Sequence, residues 1–414
     1  MQTVIIPTFR RRFSLFLISI VLLISASGYG NYRPDIQAHP YVDSSLRNAR
    51  LESMLNAAVR EGLPGVSLRV KGPGIDFQGA AGVANLVTDE PLTTRHVMYV
   101  ASLGKTFTAT VALQLCEEGL LDLESPITTW LPAEVSRHLP SSEKITLRHL
   151  LSHKSGLSDY LNDDKIWLRD FIKDPYRQWT HGEVIPYLYD KPLLFEPGTD
   201  YHYSNSNYVL VGWILKQVTG QPLHALIRKR ILVPLRLKYT FNGHEIFDSV
   251  ERAHGYVRRH GRIIDTYPWY SHYALADSGM YSTAGELALF MKSLFTTDEL
   301  LSEAMRKKMT DVSESGYLPS RYGLGIFVQR SPRGMGHWYA NHGIDPGYHA
   351  DMMYFTDPDL TIVLFANASQ GGADIIYEKL ITTVLQVALE AVRLGRRYGD
   401  AKRLRSPGLN AITP

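Results

Sequence analysis

The chain has 414 residues, 44% hydrophobic and 21% charged, which excludes a disordered or fibrous protein and is long enough for a large core and two or three domains. Lys and Arg number 44 against 41 Asp and Glu, so no basic nucleic-acid-binding face is indicated. Cys116 is the one cysteine, which excludes an intramolecular disulfide and any cysteine-ligated zinc or iron–sulfur centre.

Arg10, Arg11 and Arg12 precede an apolar run, Phe13–Ala26, and the small residues Ser27 and Gly28 follow. Charged start, apolar middle and small-residue exit describe a secretory signal over residues 1–28. The run is short for a spanning helix of about 20 residues, so membrane contact is expected only through an uncleaved signal anchor. The expectation is an exported bacterial protein, periplasmic or secreted, and monomeric. Residues 29–48, polar and carrying Pro34 and Pro40, are expected to be a linker.

Leu51–Glu61 has helical spacing and stops at Gly62. Val66–Val70 and Ile75–Ala84 alternate as a hairpin across Gly72-Pro-Gly74. Ser102–Glu118 is a long apolar helix pattern ended by Gly119, and residues 130–268 are mostly helical and loop-like. Gly285–Phe295 is a further helix. Strands are expected over Tyr322–Gln329, Tyr348–Phe355 and Thr361–Ala366, then an amphipathic helix over Asp374–Val392. Residues 395–414 are expected to be a basic disordered tail, since Arg393–Arg405 holds six basic residues and one acid. Strands at both ends with helices between predict an α+β fold. One antiparallel sheet, flanked by helices, would be built from 49–130 and 270–394, with a mainly helical domain, 131–269, inserted.

Ala101-Ser102-Leu-Gly-Lys105 is the sharpest local signal. On a helix, residues three apart share a face, so Lys105 would lie beside the Ser102 hydroxyl. A serine is a poor nucleophile until a neighbour takes its proton, and a desolvated lysine can do so. Ser141-Ser-Glu-Lys144 repeats the S-x-x-K spacing but follows Pro140 in a polar stretch, as a solvated loop would. Gly104-Lys105-Thr106 mimics the end of a phosphate loop, but the glycine required five residues earlier is Tyr99.

Tyr203-Ser204-Asn205 sits in a turn after Phe195-Glu-Pro-Gly198 and before an apolar helix pattern. Tyr203 is a candidate proton shuttle and Asn205 a candidate for holding a substrate amide. A third element should be an open strand beside the serine; Asn341-His342-Gly343, before Asp345-Pro-Gly-Tyr348, would offer its polar side chain. The backbone N–H of Ile344 would pair with that of Ser102 as an oxyanion hole. Lys154-Ser155-Gly156 matches the same letters, but it is assigned to a helix over Ile145–Leu157 and a structural role.

In these ordered segments the chain resembles the serine beta-lactamase and DD-peptidase superfamily, on its class C-like branch of esterases and D-amino-acid peptidases. Val97–Ala109, Ile145–Leu157, Phe195–Gly212, Ala276–Ala284, Tyr322–Gly325 and Pro346–Tyr348 carry the resemblance, which covers roughly residues 50–390. It implies Ser102 as nucleophile, Lys105 as base partner, Tyr203 as second proton carrier and Asn205 as substrate-binding residue. The third triad departs from the family's Lys or His, small residue, Gly. Counting back from Pro346 places Asn341 in the basic slot; a one-residue shift places His342 there and Ile344 where glycine belongs. The missing lysine weakens the case for a dedicated beta-lactamase or a carboxylate-binding peptidase.

His149 and His153 have the i, i+4 spacing of zinc ligands, but Leu150 follows His149 where a metalloprotease has glutamate, so both are assigned structural roles. No metal or cofactor is expected. Cys116 is expected to be inert core, and His254, Trp269 and Tyr270 to border the pocket. Three functions follow. The first is an exported serine hydrolase forming an acyl-enzyme with a small ester, an amide or a cell-wall-type D-Ala-D-Ala peptide. The second is a beta-lactamase. The third, a binding protein that keeps only the fold, is opposed by intact Ser102, Lys105 and Tyr203.

Overall fold

Apolar residues alternating along five consecutive-neighbour strands build a sheet whose two faces are both buried. The computed structural model describes residues 44–163, 166–243, 245, 250–270, 273–313, 321–330 and 336–404. The export signal expected over 1–28 and most of the linker lie outside the described residues. The helix α1 (Ser44–Glu61) takes up the last residues of that linker and buries Leu51, Leu55 and Ala58. The hairpin β1 (Gly65–Gly72) and β2 (Ile75–Asn85) turns at Gly74, where φ is +77°, and β3 (Glu90–Pro91) adds a short edge.

Helices α2 (Gly104–Glu117), α3 (Leu147–Leu151), α4 (Asn205–Thr219) and α5 (Ala284–Thr296) follow. Strands β4 (Arg321–Tyr322), β5 (Phe327–Arg330), β6 (His337–Asp345), β7 (Tyr348–Phe355) and β8 (Leu360–Ala366) come next, then α6 (Gly372–Leu404). The sheet order is β3-β2-β1-β8-β7-β6-β5-β4, antiparallel throughout, as expected of a sheet drawn from both ends of the chain. The join is β1 with β8, where Val66 lies opposite Ala366.

One face carries Leu68, Val70, Ile362 and Leu364 against Leu51 and Leu55 of α1 and Ile381 and Val384 of α6. The other carries Met352, Val363 and Phe365 into a core shared with α2, α4, α5 and the helical middle of the chain. Each such side chain contributes about 1.5–3 kcal/mol by leaving water.

Three expectations need correction. Residues 395–404 are helical, because the Leu, Arg, Ala and Lys they contain are good helix formers that continue α6. The helix expected over Ile145–Leu157 is only Leu147–Leu151: His153 at φ +58° and Gly156 at φ +78° turn the chain into a loop. The strand expected over Tyr322–Gln329 is two short strands, β4 and β5, folded back at Gly323–Gly325. The third element lies within a strand, β6, as expected of an open strand beside the serine.

Candidate active site

Ser102 occupies a 3₁₀ turn, Ala101–Leu103, that leads into α2. The turn is held from two sides. Met98–Tyr99 pairs antiparallel with Met280–Ser282, and Gly104 lies so close to Ser278 that a Cβ would stand 2.2 Å from its carbonyl oxygen. Ala101 adopts φ +48°, a left-handed conformation that costs a non-glycine residue about 1 kcal/mol or more and persists only where packing enforces it. This strain lies one residue before Ser102.

Lys105, the second residue of α2, is fully buried. Its Nζ donates to Ser102 Oγ at 3.1 Å, to Asn205 Oδ1 at 2.7 Å and to the Asp277 carbonyl oxygen at 2.6 Å. The ammonium also lies 5.0 Å from the Tyr203 ring centroid. Tyr203 hydrogen-bonds Ser102, and burial pushes its phenol above the usual range. The structure thus brings together Ser102, Lys105, Tyr203 and Asn205. Asn205 Nδ2 donates to Asp159 Oδ2 at 3.0 Å, so the amide positions Lys105 at one end while its other end is tied down.

Burial lowers the Lys105 pKa to about 8, against the pull of Asp277, Asp159 and Asp345. About a quarter of the lysine is then neutral at pH 7.5, where an ordinary lysine would be about 0.1% neutral. Burial raises the three carboxyls in turn: Asp159 to about 6, Asp345 to about 7 with Asp277 close by, and Asp277 itself upward. Tyr160 donates to Asp277 Oδ2 at 2.8 Å and Tyr273 lies within hydrogen-bonding distance of the same carboxylate.

The third element resolves by strand parity. Asn341 is buried and its Nδ2 donates to Thr106 Oγ1 at 2.9 Å and toward the Ser102 carbonyl oxygen at 3.4 Å. Gly343 shares that face: a Cβ there would stand 2.3 Å from the Val100 carbonyl oxygen. Glycine therefore occupies the place where β6 meets the nucleophile turn, and the register counted from Pro346 fits.

His342 was expected among the substrate-binding residues, but the pleat turns it to the opposite face. Its Nδ1 lies 2.9 Å from Asp351 Oδ1, and its ring is 5.2 Å from that of His349, which stacks on Tyr377 of α6. Burial works against its charge, but Asp351 outweighs this and holds its pKa above the ordinary value.

Lys154-Ser155-Gly156 lies in the loop after α3, and Ser155 Oγ donates to Asn207 Oδ1 at 2.5 Å. Lys144 of the second S-x-x-K pairs with Glu196 on the surface, 3.2 Å away. His149 accepts the Thr146 N–H in a cap of α3. His153 Nδ1 accepts from the Ser204 N–H at 3.2 Å while its ring lies 4.2 Å from that of Tyr203, so it packs against that tyrosine. Among the described residues no three ligands converge on a metal site. Burial raises the Cys116 thiol to about 12, which leaves it unreactive. His254 is tied to Asp265 at 2.6 Å, and Tyr270 stacks on Tyr99 with ring centroids 4.5 Å apart. Asp159, Asp277, Asp345 and Tyr99 were not singled out from the sequence. Their one signal was position, in or beside the Ile145–Leu157, Ala276–Ala284, Pro346–Tyr348 and Val97–Ala109 segments.

Residues 49–383 match the family model described as Beta-lactamase. The chain is 28% identical over 362 residues to Penicillin-binding protein 4* of Bacillus subtilis, covering 82% of this chain and 74% of that protein. It is 31% identical over 206 residues to Esterase EstB of Burkholderia gladioli, covering 48% of this chain and 52% of that one. Among solved structures, D-amino acid amidase from Ochrobactrum anthropi superposes with a TM-score of 0.70 at 28% identity, over 84% of this chain and 99% of the amidase. With a serine, a buried lysine and a tyrosine in mutual contact on this fold, the chain belongs to the beta-lactamase family, in the serine beta-lactamase and DD-peptidase superfamily, and is a serine hydrolase.

Proposed function

We propose that the protein is an exported hydrolase that opens amides and esters of small, amino-acid-like substrates through a Ser102 acyl-enzyme. The observation that carries this reading is the 3.1 Å contact between Ser102 and a Lys105 desolvated enough to be partly neutral. In the first step the Ser102 proton passes to Lys105, with Tyr203 sharing it, as Oγ attacks the carbonyl carbon. The N–H groups of Ser102 and Ile344 receive the developing oxyanion. Tyr203 then protonates the leaving amine or alcohol. Water enters by the same path in reverse and releases the acid.

Asn341 in the basic slot favours substrates without a carboxylate beside the scissile bond, because its amide is already engaged by Thr106. That observation sets amides and esters ahead of penicillins and of peptides ending in D-Ala-D-Ala. Similarity to a D-amino acid amidase and to an esterase supports the same order.

A panel of p-nitrophenyl esters, D-amino-acid p-nitroanilides, D-Ala-D-Ala peptides and nitrocefin tests it. Turnover of the first two groups above the last two is expected, with a fluorophosphonate labelling Ser102. Turnover of nitrocefin alone would replace this reading with a beta-lactamase. Export rests on the Arg10–Ala26 pattern. Mass spectrometry of the native protein should find an N-terminus between about residues 25 and 32, and an intact Met1 in the cytoplasm would overturn it.

A further inference from the structure

Beyond the nucleophile, the site holds more negative groups than positive ones. Among the described residues Lys105 is the one buried lysine or arginine, and its Nζ is shared among Ser102, Asn205 and the Asp277 carbonyl. Three carboxyls surround it. Asp159 receives Asn205 and Asn162, and Asp277 receives Tyr160, so both are occupied inside the fold.

Asp345 differs. It closes β6 on the same strand face as Asn341 and Gly343, the two residues that touch the nucleophile turn. It is half-buried rather than enclosed, and Tyr99 lies beside its carboxyl. Among the described residues it makes no ion pair with lysine or arginine. Tyr99 belongs to a group of stacked and edge-on rings with Tyr270, Tyr273 and Tyr348, at centroid distances of 4.5, 6.4 and 5.8 Å. A carboxylate beside aromatic rings is suited to an ammonium group. Where a cation would take a substrate carboxylate, Asn341 is buried and engaged.

We propose that Asp345 anchors a positively charged amine of the substrate, so that the enzyme prefers acyl groups bearing a free α-ammonium. The proposal rests on the Ser102 acyl-enzyme reading and names its substrate class: amides and esters of unblocked amino acids. Asp345 is a specificity-determining residue, not a proton carrier.

Ethylboronic acid and 1-aminoethylboronic acid differ by that ammonium alone. Each adds to Ser102 by forming an oxygen–boron bond. The hydroxyl proton passes to the Lys105–Tyr203 pair, and boron becomes a tetrahedral anion. Inhibition constants are measured against p-nitrophenyl acetate turnover near pH 7.5. The amino compound is expected to bind about tenfold tighter or better, which corresponds to about 1.4 kcal/mol. In Asp345→Asn the ratio should fall to within about threefold of one. A wild-type ratio near one, inhibition by neither compound, or an unchanged ratio in Asp345→Asn overturns the proposal. Should Asp345→Asn not fold, Asp345→Ser replaces it, and the wild-type ratio still decides. Absence of both ester turnover and fluorophosphonate labelling at Ser102 would remove the acyl-enzyme reading itself, and this proposal with it.

Discussion

Replacing Lys105 by methionine separates the energetic cost of the buried base from its use. In the folded state burial lowers the lysine pKa to about 8, while in the unfolded chain it returns to 10.5. Between those values the unfolded state binds more protons, so stability rises with pH through this window and the penalty is complete below pH 8. A shift of 2.5 units corresponds to about 3 kcal/mol of disfavoured charge at pH 7. Most of it has gone by pH 10, so the two pH values differ by about 2.5 kcal/mol. Lys105→Met has no such dependence. Its loss of bonds to Asn205 and Asp277 shifts its stability by an amount that is nearly the same at every pH. Urea denaturation of both proteins from pH 7 to pH 10 should show wild type gaining about 2.5 kcal/mol relative to Lys105→Met as pH rises. A difference that stays flat across that range would refute the placement of Lys105 as a desolvated, partly neutral base.

Ser102 and Lys105 act as one unit, so Ser102→Ala and Lys105→Ala should each lower kcat by about 10³-fold or more, and the double variant little further; additive losses in single-turnover assays would contradict this. Gly343→Ala must move β6 or the nucleophile turn by about 1 Å to relieve its 2.3 Å approach to Val100, so kcat should fall about 10²-fold and stability by about 1–3 kcal/mol, read by ester turnover and urea midpoints. Asn341→Ala should lower kcat/KM about tenfold or more, while His342→Ala should lower Tm, because one residue faces Ser102 and the other Asp351; the reverse pattern would mean the strand faces are misassigned. For an uncharged ester, kcat/KM should rise with pH to a plateau above about 8 as Lys105 loses its proton, and a profile flat from pH 6 to 9 would count against it.

Ser102, Lys105, Tyr203 and Asn205 were legible because each sits at the start of an apolar helix, where a polar cluster beside a hydrophobic pattern stands out. The three aspartates were not. Asp159, Asp277 and Asp345 occur in turns and a strand end, where aspartate is common, and tertiary packing alone brings them beside Lys105. The Asn341–His342 ambiguity could not be removed by counting residues, since it depends on which face of β6 meets Val100. The clash a Cβ would make at Gly343 decides it. The broken helix after Leu151 shows the same limit in another form. Its apolar spacing continues to Leu157, but His153 is drawn into the left-handed region by contacts with Ser204 and Asn207 from a distant segment. Where the helix expectation was too short, as in α6, the cause was reading basic composition as disorder when the same residues also favour helix.

The pairing of β1 with β8 ties together residues 300 positions apart, Val66 and Ala366. At a ribosomal pace of about 5–20 residues per second, roughly 15–60 s separate the emergence of the two. Throughout that interval β1 presents an open hydrogen-bonding edge flanked by Val66, Leu68 and Val70, the kind of edge that recruits foreign strands. Folding is therefore governed by a late, long-range closure, which topology makes slow. A nascent chain that stops short of Leu360 already carries the serine and the lysine, but it has no central strand to join the two halves of the sheet. Chemistry is withheld until β8 arrives with the last 55 or so residues, so an unfinished chain is an inactive one.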